Sequence, residues 1–171
     1  MRKCLTFAIC LFCSAATAHP SFENTHVRGG VTFKADLMVT HGCGDSPTIR
    51  LIVDIPEEVV AVTPRVKPGW TIETVQSELS EPRTVFGMRM TKFTSQIIWS
   101  GNSLSSDFFD VFSFIVIPPN NPSTLYFPTK QVCEEGVAEW SNTPDPENHG
   151  ERLSHPAPSL TVVRNAGADG H

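Results

Sequence analysis

The sequence has little that would place the protein in a membrane or on a polyanion. It has no apolar run near the ~20 residues that a membrane-spanning helix needs. It has 13 basic side chains against 18 acidic ones, and this negative balance makes nucleic acids and anionic membrane surfaces poor candidates as partners. It also has no H-E-x-x-H, no phosphate-binding glycine loop and no serine nucleophile motif, so no motif indicates a common hydrolase or nucleotide-binding enzyme.

The N-terminus has the features of a secretory signal peptide. Arg2 and Lys3 supply a positive start, and an apolar run too short for a membrane anchor follows. Ala16 and Ala18 occupy the small-residue positions of an A-x-A cleavage site. We therefore expect residues 1–18 to be removed by cleavage between Ala18 and His19. The product is expected to be soluble, exported to the periplasm or otherwise out of the cytoplasm, and to begin with a histidine.

Cysteine is scarce beyond that segment. The full chain has five cysteines, of which only Cys43 and Cys133 follow residue 18. An even pair in an oxidising compartment is expected to form a disulfide. Two thiolates on a metal ion are the alternative, and it is the weaker one because there is no C-x-x-C motif and no third cysteine.

The remaining chain has the texture of an all-β protein. Its 14 prolines interrupt most stretches that could form a stable helix. Short runs rich in β-branched and aromatic residues alternate with turn signals, such as Ser-Gly-Asn at 100–102. These patterns predict one two-sheet sandwich over residues 19–164 and a flexible tail over 165–171. The predicted strands are 31–39, 48–55, 59–62, 70–75, 96–99, 108–117, 123–127, 137–140 and 159–163.

Several distinctive motifs follow one another along the chain. They are Val39-Thr40-His41-Gly42-Cys43, Ile55-Pro56, Lys67-Pro68-Gly69-Trp70, Ile98-Trp99-Ser100-Gly101, Leu125-Tyr126-Phe127-Pro128 and Gln131-Val132-Cys133-Glu134. Together with His19 and Trp140, they resemble the YcnI-like family of exported bacterial copper-binding proteins over nearly all of the mature chain. The resemblance implies an immunoglobulin-like β-sandwich and a role in copper homeostasis. It also implies a copper site made of the N-terminal histidine, a nearby carboxylate and a tryptophan.

The chemistry of an N-terminal histidine supports a copper site by a separate argument. The α-amine and the imidazole Nδ1 of a terminal His19 can bind one metal ion as a chelate, which an internal histidine cannot form. An α-amine has a pKa of only ~8, so it deprotonates far more easily than a lysine. Amine and imidazole nitrogens favour Cu(II). Because Pro20 has no backbone N–H, copper cannot displace the next amide proton instead.

A two-nitrogen chelate needs further donors. The resemblance to the YcnI-like family implies a carboxylate ligand in the turn after the first long strand. This chain has His41-Gly42-Cys43-Gly44-Asp45 there. We expect His41 to be the next ligand, because three nitrogens suit tetragonal Cu(II). Asp45, or Glu134 brought across by the disulfide, is the carboxylate alternative. A loop histidine that only forms hydrogen bonds is the simpler reading of His41.

Trp140 is expected to lie over the metal and to shield it from water through its π face, since an indole is not an ordinary σ ligand. Trp70 and Trp99 are expected to pack in the core between the sheets. His149 and His155 lie in a proline-rich stretch, where a solvated loop histidine is the ordinary case.

Three functions fit the sequence. The first is a copper chaperone or buffer that holds Cu(II), or alternatively Cu(I), and passes it to another copper-handling protein. The second is a copper-dependent oxidative enzyme, because a terminal histidine with a second histidine also resembles the site of polysaccharide monooxygenases. The third is a structural or adhesive sandwich without a metal. We expect the first, and therefore no enzymatic activity.

Overall fold

The structure is a computed structural model and describes residues 19–145 and 153–165. The predicted signal peptide with Ala18, the loop residue His149, and most of the predicted tail lie outside the described residues. Within the described ranges the chain forms strands, turns and loops and no helix. These residues accordingly contain no helix long and apolar enough to cross a membrane.

Twelve strands form three sheets in the described part of the chain. The strands are β1 (Ser21–Phe22), β2 (His26–Arg28), β3 (Phe33–Val39), β4 (Thr48–Asp54), β5 (Ala61–Pro64), β6 (Thr71–Val85), β7 (Met88–Leu104), β8 (Asp110–Ile117), β9 (Ser123–Tyr126), β10 (Thr129–Cys133), β11 (Val137–Trp140) and β12 (Ser159–Val163). The sheet orders are β1-β3-β8-β5, β11-β10-β4-β7-β6 and β2-β12-β9. All pairings are antiparallel except that of β12 with β2.

The core lies between the four-stranded and the five-stranded sheet. Alternate residues of a strand point to opposite faces, so β3, β4, β7 and β8 each send apolar side chains inward. Trp99 of β7 packs edge-on against Phe112 of β8, with ring centroids 5.4 Å apart. Trp70 also packs edge-on against Phe112, with ring centroids 5.2 Å apart. Trp99 is fully buried and Trp70 is nearly so, which confirms the prediction that both belong to the core.

The predicted fold class is confirmed, but the predicted pattern of two sheets and nine strands is incomplete. A third sheet, β2-β12-β9, is present, and β1, β2 and β10 were not predicted because strands of two to five residues are too short to show a clear period. The predicted strands 70–75 and 96–99 are only the inner ends of a long hairpin formed by β6 and β7. In its outer part only Leu79 is buried and the other residues are exposed or half-buried, so no apolar alternation reveals it. The predicted turn at 100–102 lies inside β7. There the pairing with β4 shifts register, and Gly101 adopts a φ of 84° that suits a bulge.

Candidate metal centre

The first described residue lies beside the loop that follows β3. In the antiparallel pair of β1 and β3, Ser21 is opposite Met38. The pairing begins at Ser21, and the same register extended back by two residues would set His19 opposite Thr40. Facing residues in such a pair have Cα atoms about 4.5–5.5 Å apart. Pro20 is buried and anchors the chain, whereas His19 itself is exposed. The register thus directs His19 toward the end of β3, which the loop of His41 follows.

His19 also lies against Trp140. The two ring centroids are 6.3 Å apart, with the planes tilted by 39°. Trp140 is the last residue of β11 and pairs with Thr129 of β10. Trp140 is only 5% exposed. Because the histidine that it contacts is exposed, this contact lies where the buried interior meets the surface. Two of the predicted site residues are therefore neighbours.

A buried glutamine, which the sequence analysis did not single out, connects Trp140 with the His41 loop. Trp140 Nε1 donates a hydrogen bond to Gln131 Oε1 at 3.4 Å. Gln131 Nε2 donates to the carbonyl of His41 and, at 2.7 Å, to Thr48 Oγ1. Gln131 is 1% exposed, and both ends of its amide are engaged. The sequence offered one signal, the position of Gln131 in the short motif Gln131-Val132-Cys133-Glu134. An amide buried there needs hydrogen-bond partners.

His41 itself is half-buried and holds one ring nitrogen at its own loop. Its Nδ1 lies 2.6 Å from the carbonyl oxygen of Gly42. A carbonyl only accepts, so Nδ1 carries the proton and Nε2 of the neutral ring keeps a free lone pair. Histidines that bind metals commonly have this arrangement. Next to it, the buried hydroxyl of Thr40 has no hydrogen-bond partner among the described residues.

The predicted disulfide is present. Cys43 and Cys133 are bonded, with their Cα atoms 6.0 Å apart. The bond joins the turn between Cys43 and Ser46, which is closed by a short bridge, to the end of β10. The backbone N–H of Glu134 then donates to the carbonyl of Pro47 at 3.0 Å. The disulfide and this hydrogen bond therefore join the loop after β3 to the end of β10. We call this region, residues 41–47 and 131–134, the disulfide corner.

The two candidate carboxylates lie on that corner and are both exposed. Asp45 is in the turn, where its carbonyl accepts a hydrogen bond from Ser106 Oγ at 3.0 Å. Glu134 follows the disulfide directly. Across the described ranges, no three His, Cys, Asp or Glu side chains are close enough together to hold a metal ion. The α-amine that cleavage would create at His19 is not a side chain and would add a donor to any such set.

The carboxylate nearest to Trp140 in sequence is already paired. Glu139 Oε1 lies 2.7 Å from Lys130 Nζ. The hydrogen bond from Lys130, together with its positive charge, lowers the pKa of Glu139. Because neighbouring residues of a strand face opposite ways, this pair lies on the side of β11 away from the Trp140 indole.

His155 is exposed and lies outside the strands, as expected, but its ring also contacts the indole of Trp140. Their ring centroids are 4.9 Å apart and the planes are tilted by 44°. The segment is held by Asn142, whose N–H donates to the His155 carbonyl at 3.2 Å and whose carbonyl accepts from Ala157 N–H at 2.9 Å. The Asn142 side chain also donates to the carbonyl of Ser154. No spacing in the sequence indicates this contact, because it depends on the tertiary hydrogen bonds between Asn142 and residues 154–157.

The packed sheets, the disulfide corner and the aromatic site at one end define a β-sandwich of the immunoglobulin-like class. The chain belongs to the family described as "Domain of unknown function (DUF1775)", which matches residues 19–162. No curated protein matches the sequence.

Two solved structures were compared with the fold. One is the crystal structure of an uncharacterized protein from Nocardia farcinica, described as having an immunoglobulin-like fold. It matches with a TM-score of 0.65 at 21% identity, over 85% of this chain and 98% of that one, and this likeness supports the fold alone. The other is a family 123 glycoside hydrolase from Clostridium perfringens, with a TM-score of 0.31, 9% identity, and coverage of 83% of this chain and 23% of that one. The second likeness is too weak to carry an argument.

Proposed function

We propose that the protein is an exported copper-binding protein that holds Cu(II) at the end of the sandwich containing His19 and transfers it to another copper-handling protein. The observation that carries the proposal is the position of His19. It lies against the nearly buried Trp140, and it precedes β1, whose register points toward the end of β3 and the loop of His41. The family match also begins at this residue.

The donor atoms of this end suit Cu(II). Once the bond between Ala18 and His19 is cleaved, the α-amine and Nδ1 of His19 form a chelate, and Pro20 prevents the backbone from competing. Nitrogen donors of this kind bind Cu(II) more tightly than other divalent first-row ions. A further donor comes from the same end of the sandwich. The sequence-based candidates for it are His41, which has a free Nε2, and the exposed carboxylates of Asp45 and Glu134.

Trp140 favours a carrier over an oxidative enzyme. Its indole is packed at the edge of the core and its N–H is engaged by Gln131, so it presents an apolar wall at His19. Such a wall limits the access of water, and its π face tolerates a cation. An oxidase needs an open position on the metal. We therefore expect no ascorbate-dependent oxygen uptake by the copper-loaded protein beyond that of free copper.

Release proceeds by exchange of ligands with a partner that offers more donors, or by reduction. Cu(I) prefers softer ligands than amine and imidazole nitrogens, so reduction weakens the complex. Protons compete for the same nitrogens, so affinity falls as the pH is lowered.

The test is a titration of the mature protein with Cu(II), after mass spectrometry has shown that it begins with His19. We expect one Cu(II) per chain and an EPR spectrum with nitrogen couplings. His19→Ala should lose the tight site, whereas His26→Ala, which removes an exposed histidine from β2, should keep it. Equal binding by the wild type and His19→Ala would overturn the proposal.

A further inference from the structure

Two exposed histidine rings contact the same buried indole. His19 lies 6.3 Å and His155 lies 4.9 Å from Trp140, measured between ring centroids. Neither imidazole has a hydrogen bond to another group in the described part of the chain. Both rings are therefore free to offer a nitrogen to a ligand. His41 differs, because its Nδ1 is engaged by Gly42 and its link to Trp140 runs only through its backbone carbonyl and Gln131.

The position of His155 is fixed by its backbone. Its φ is 53°, in the left-handed region that few residues other than glycine adopt. Such a conformation persists where the surrounding structure determines it. Here Asn142 forms a parallel bridge with Pro156 and hydrogen bonds on both sides of His155. The backbone of His155 is thus held in the position from which its imidazole contacts Trp140.

Building on the proposed function, we propose that His155 supplies the second imidazole to the Cu(II) captured by His19, with Trp140 as the wall behind the ion. The donor set is then the α-amine of His19, its Nδ1, and one ring nitrogen of His155. Three nitrogens suit tetragonal Cu(II). In this arrangement His41 is not a ligand. It belongs to the disulfide corner, where its carbonyl accepts the hydrogen bond from Gln131.

This assignment has a structural consequence for the fold. His19 is attached to β1 of the four-stranded sheet, whereas Trp140 ends β11 of the five-stranded sheet. His155 precedes β12 of the third sheet. An ion held by His19 and His155 against Trp140 would therefore connect all three sheets at one point, so copper binding should stabilise the folded domain as a whole.

The test counts coordinated imidazoles by pulsed EPR on the mature protein with one equivalent of Cu(II). The main variant is His155→Asn, because asparagine tolerates the left-handed backbone and removes the imidazole. We expect two imidazoles in the wild type, in His41→Ala and in the His26→Ala control, and one in His155→Asn. The Cu(II) affinity of His155→Asn should fall by at least about tenfold, while its circular dichroism stays that of the wild type.

The outcomes separate this inference from the proposed function. A wild type that binds Cu(II) through His19 with a single imidazole, or a count that drops in His41→Ala and not in His155→Asn, would overturn the role of His155 and leave the copper-binding function standing. A mature wild type without a tight Cu(II) site would overturn both. Asn142→Ala gives a further check: it keeps the imidazole, so the count should remain two while the affinity falls.

Discussion

The indole N–H of Trp140 donates to the side-chain oxygen of Gln131, and the amide nitrogen of the same glutamine donates to the backbone of His41. One buried side chain on β10 thus sets both the wall of the candidate copper site and the loop beside it. Since buried amides are stable only when they are paired, the geometry of the site depends on this residue even though it touches no metal.

Replacing Gln131 with leucine should destabilise the protein. The change leaves Trp140 Nε1, the His41 carbonyl and Thr48 Oγ1 without their partner in the core. An unsatisfied buried polar group costs about 1–3 kcal/mol, so we expect the free energy of unfolding in urea to fall by at least about 2 kcal/mol. Gln76→Leu is the matched control, because its exposed amide bonds only Thr94 and its loss should cost less than ~0.5 kcal/mol. Equal effects of the two changes would show that Gln131 does not organise this region.

Removal of the disulfide should have a larger effect. Cys43 and Cys133 are separated by 90 residues, and closing a loop of that length restricts the unfolded chain by about 4–5 kcal/mol in the loop-entropy treatment. We expect the double variant Cys43→Ala, Cys133→Ala to unfold at a much lower urea concentration. The reductant dithiothreitol should bring the wild type close to the variant and leave the variant unchanged. A wild type insensitive to reduction would contradict this account of the corner.

Asp36 should make the stability of the domain sensitive to acid. It is nearly buried, donors at Ser113 and Lys34 lie 2.7 and 2.8 Å from its oxygens, and Lys34 is charged. Burial raises the pKa of Asp36, but these hydrogen bonds and charges outweigh it and hold the pKa below its usual value. A carboxyl with a lowered pKa contributes stability above its unfolded pKa of ~3.9 and loses it as the pH falls through the folded value.

The comparison is between the wild type and Asp36→Asn. The wild type should lose more stability between pH 6 and pH 2.5 than the variant, measured as the shift of the urea midpoint. Asp107→Asn, a change in an exposed loop, should behave like the wild type. Parallel curves for the wild type and Asp36→Asn would show that Asp36 does not contribute to the acid sensitivity.

Trp140 should report copper binding by fluorescence. Cu(II) quenches an indole in its immediate neighbourhood, and only Trp140 contacts His19 among the three tryptophans, all of which are described. We expect quenching on addition of one equivalent of Cu(II) to the mature wild type and little quenching in Trp140→Phe. Trp70→Phe should still be quenched, since Trp70 packs on Phe112 in the core. Persistent quenching in Trp140→Phe would place the ion elsewhere.

The sequence predicted the features that depend on local composition or on the number of cysteines. Two cysteines in a chain expected to be exported indicated the disulfide, and a tryptophan within an apolar run indicated the buried Trp99. The outer hairpin of β6 and β7 was missed because Leu79 is its one buried residue, so no hydrophobic period marks it. Gln131 and His155 escaped for a different reason. Their importance comes from contacts with Trp140 that tertiary structure creates, and for His155 that contact depends on the bridge between Asn142 and Pro156.

The central claim is that cleavage before His19 creates the copper site, and one comparison tests it most directly. Cu(II) affinity is measured by chelator competition for the mature chain beginning with His19 and for the same chain with its N-terminus acetylated, which converts the α-amine of His19 into an amide. The account predicts one tight Cu(II) in the first protein and an affinity lower by more than about tenfold, or ~1.4 kcal/mol, in the second. Equal affinities would contradict it.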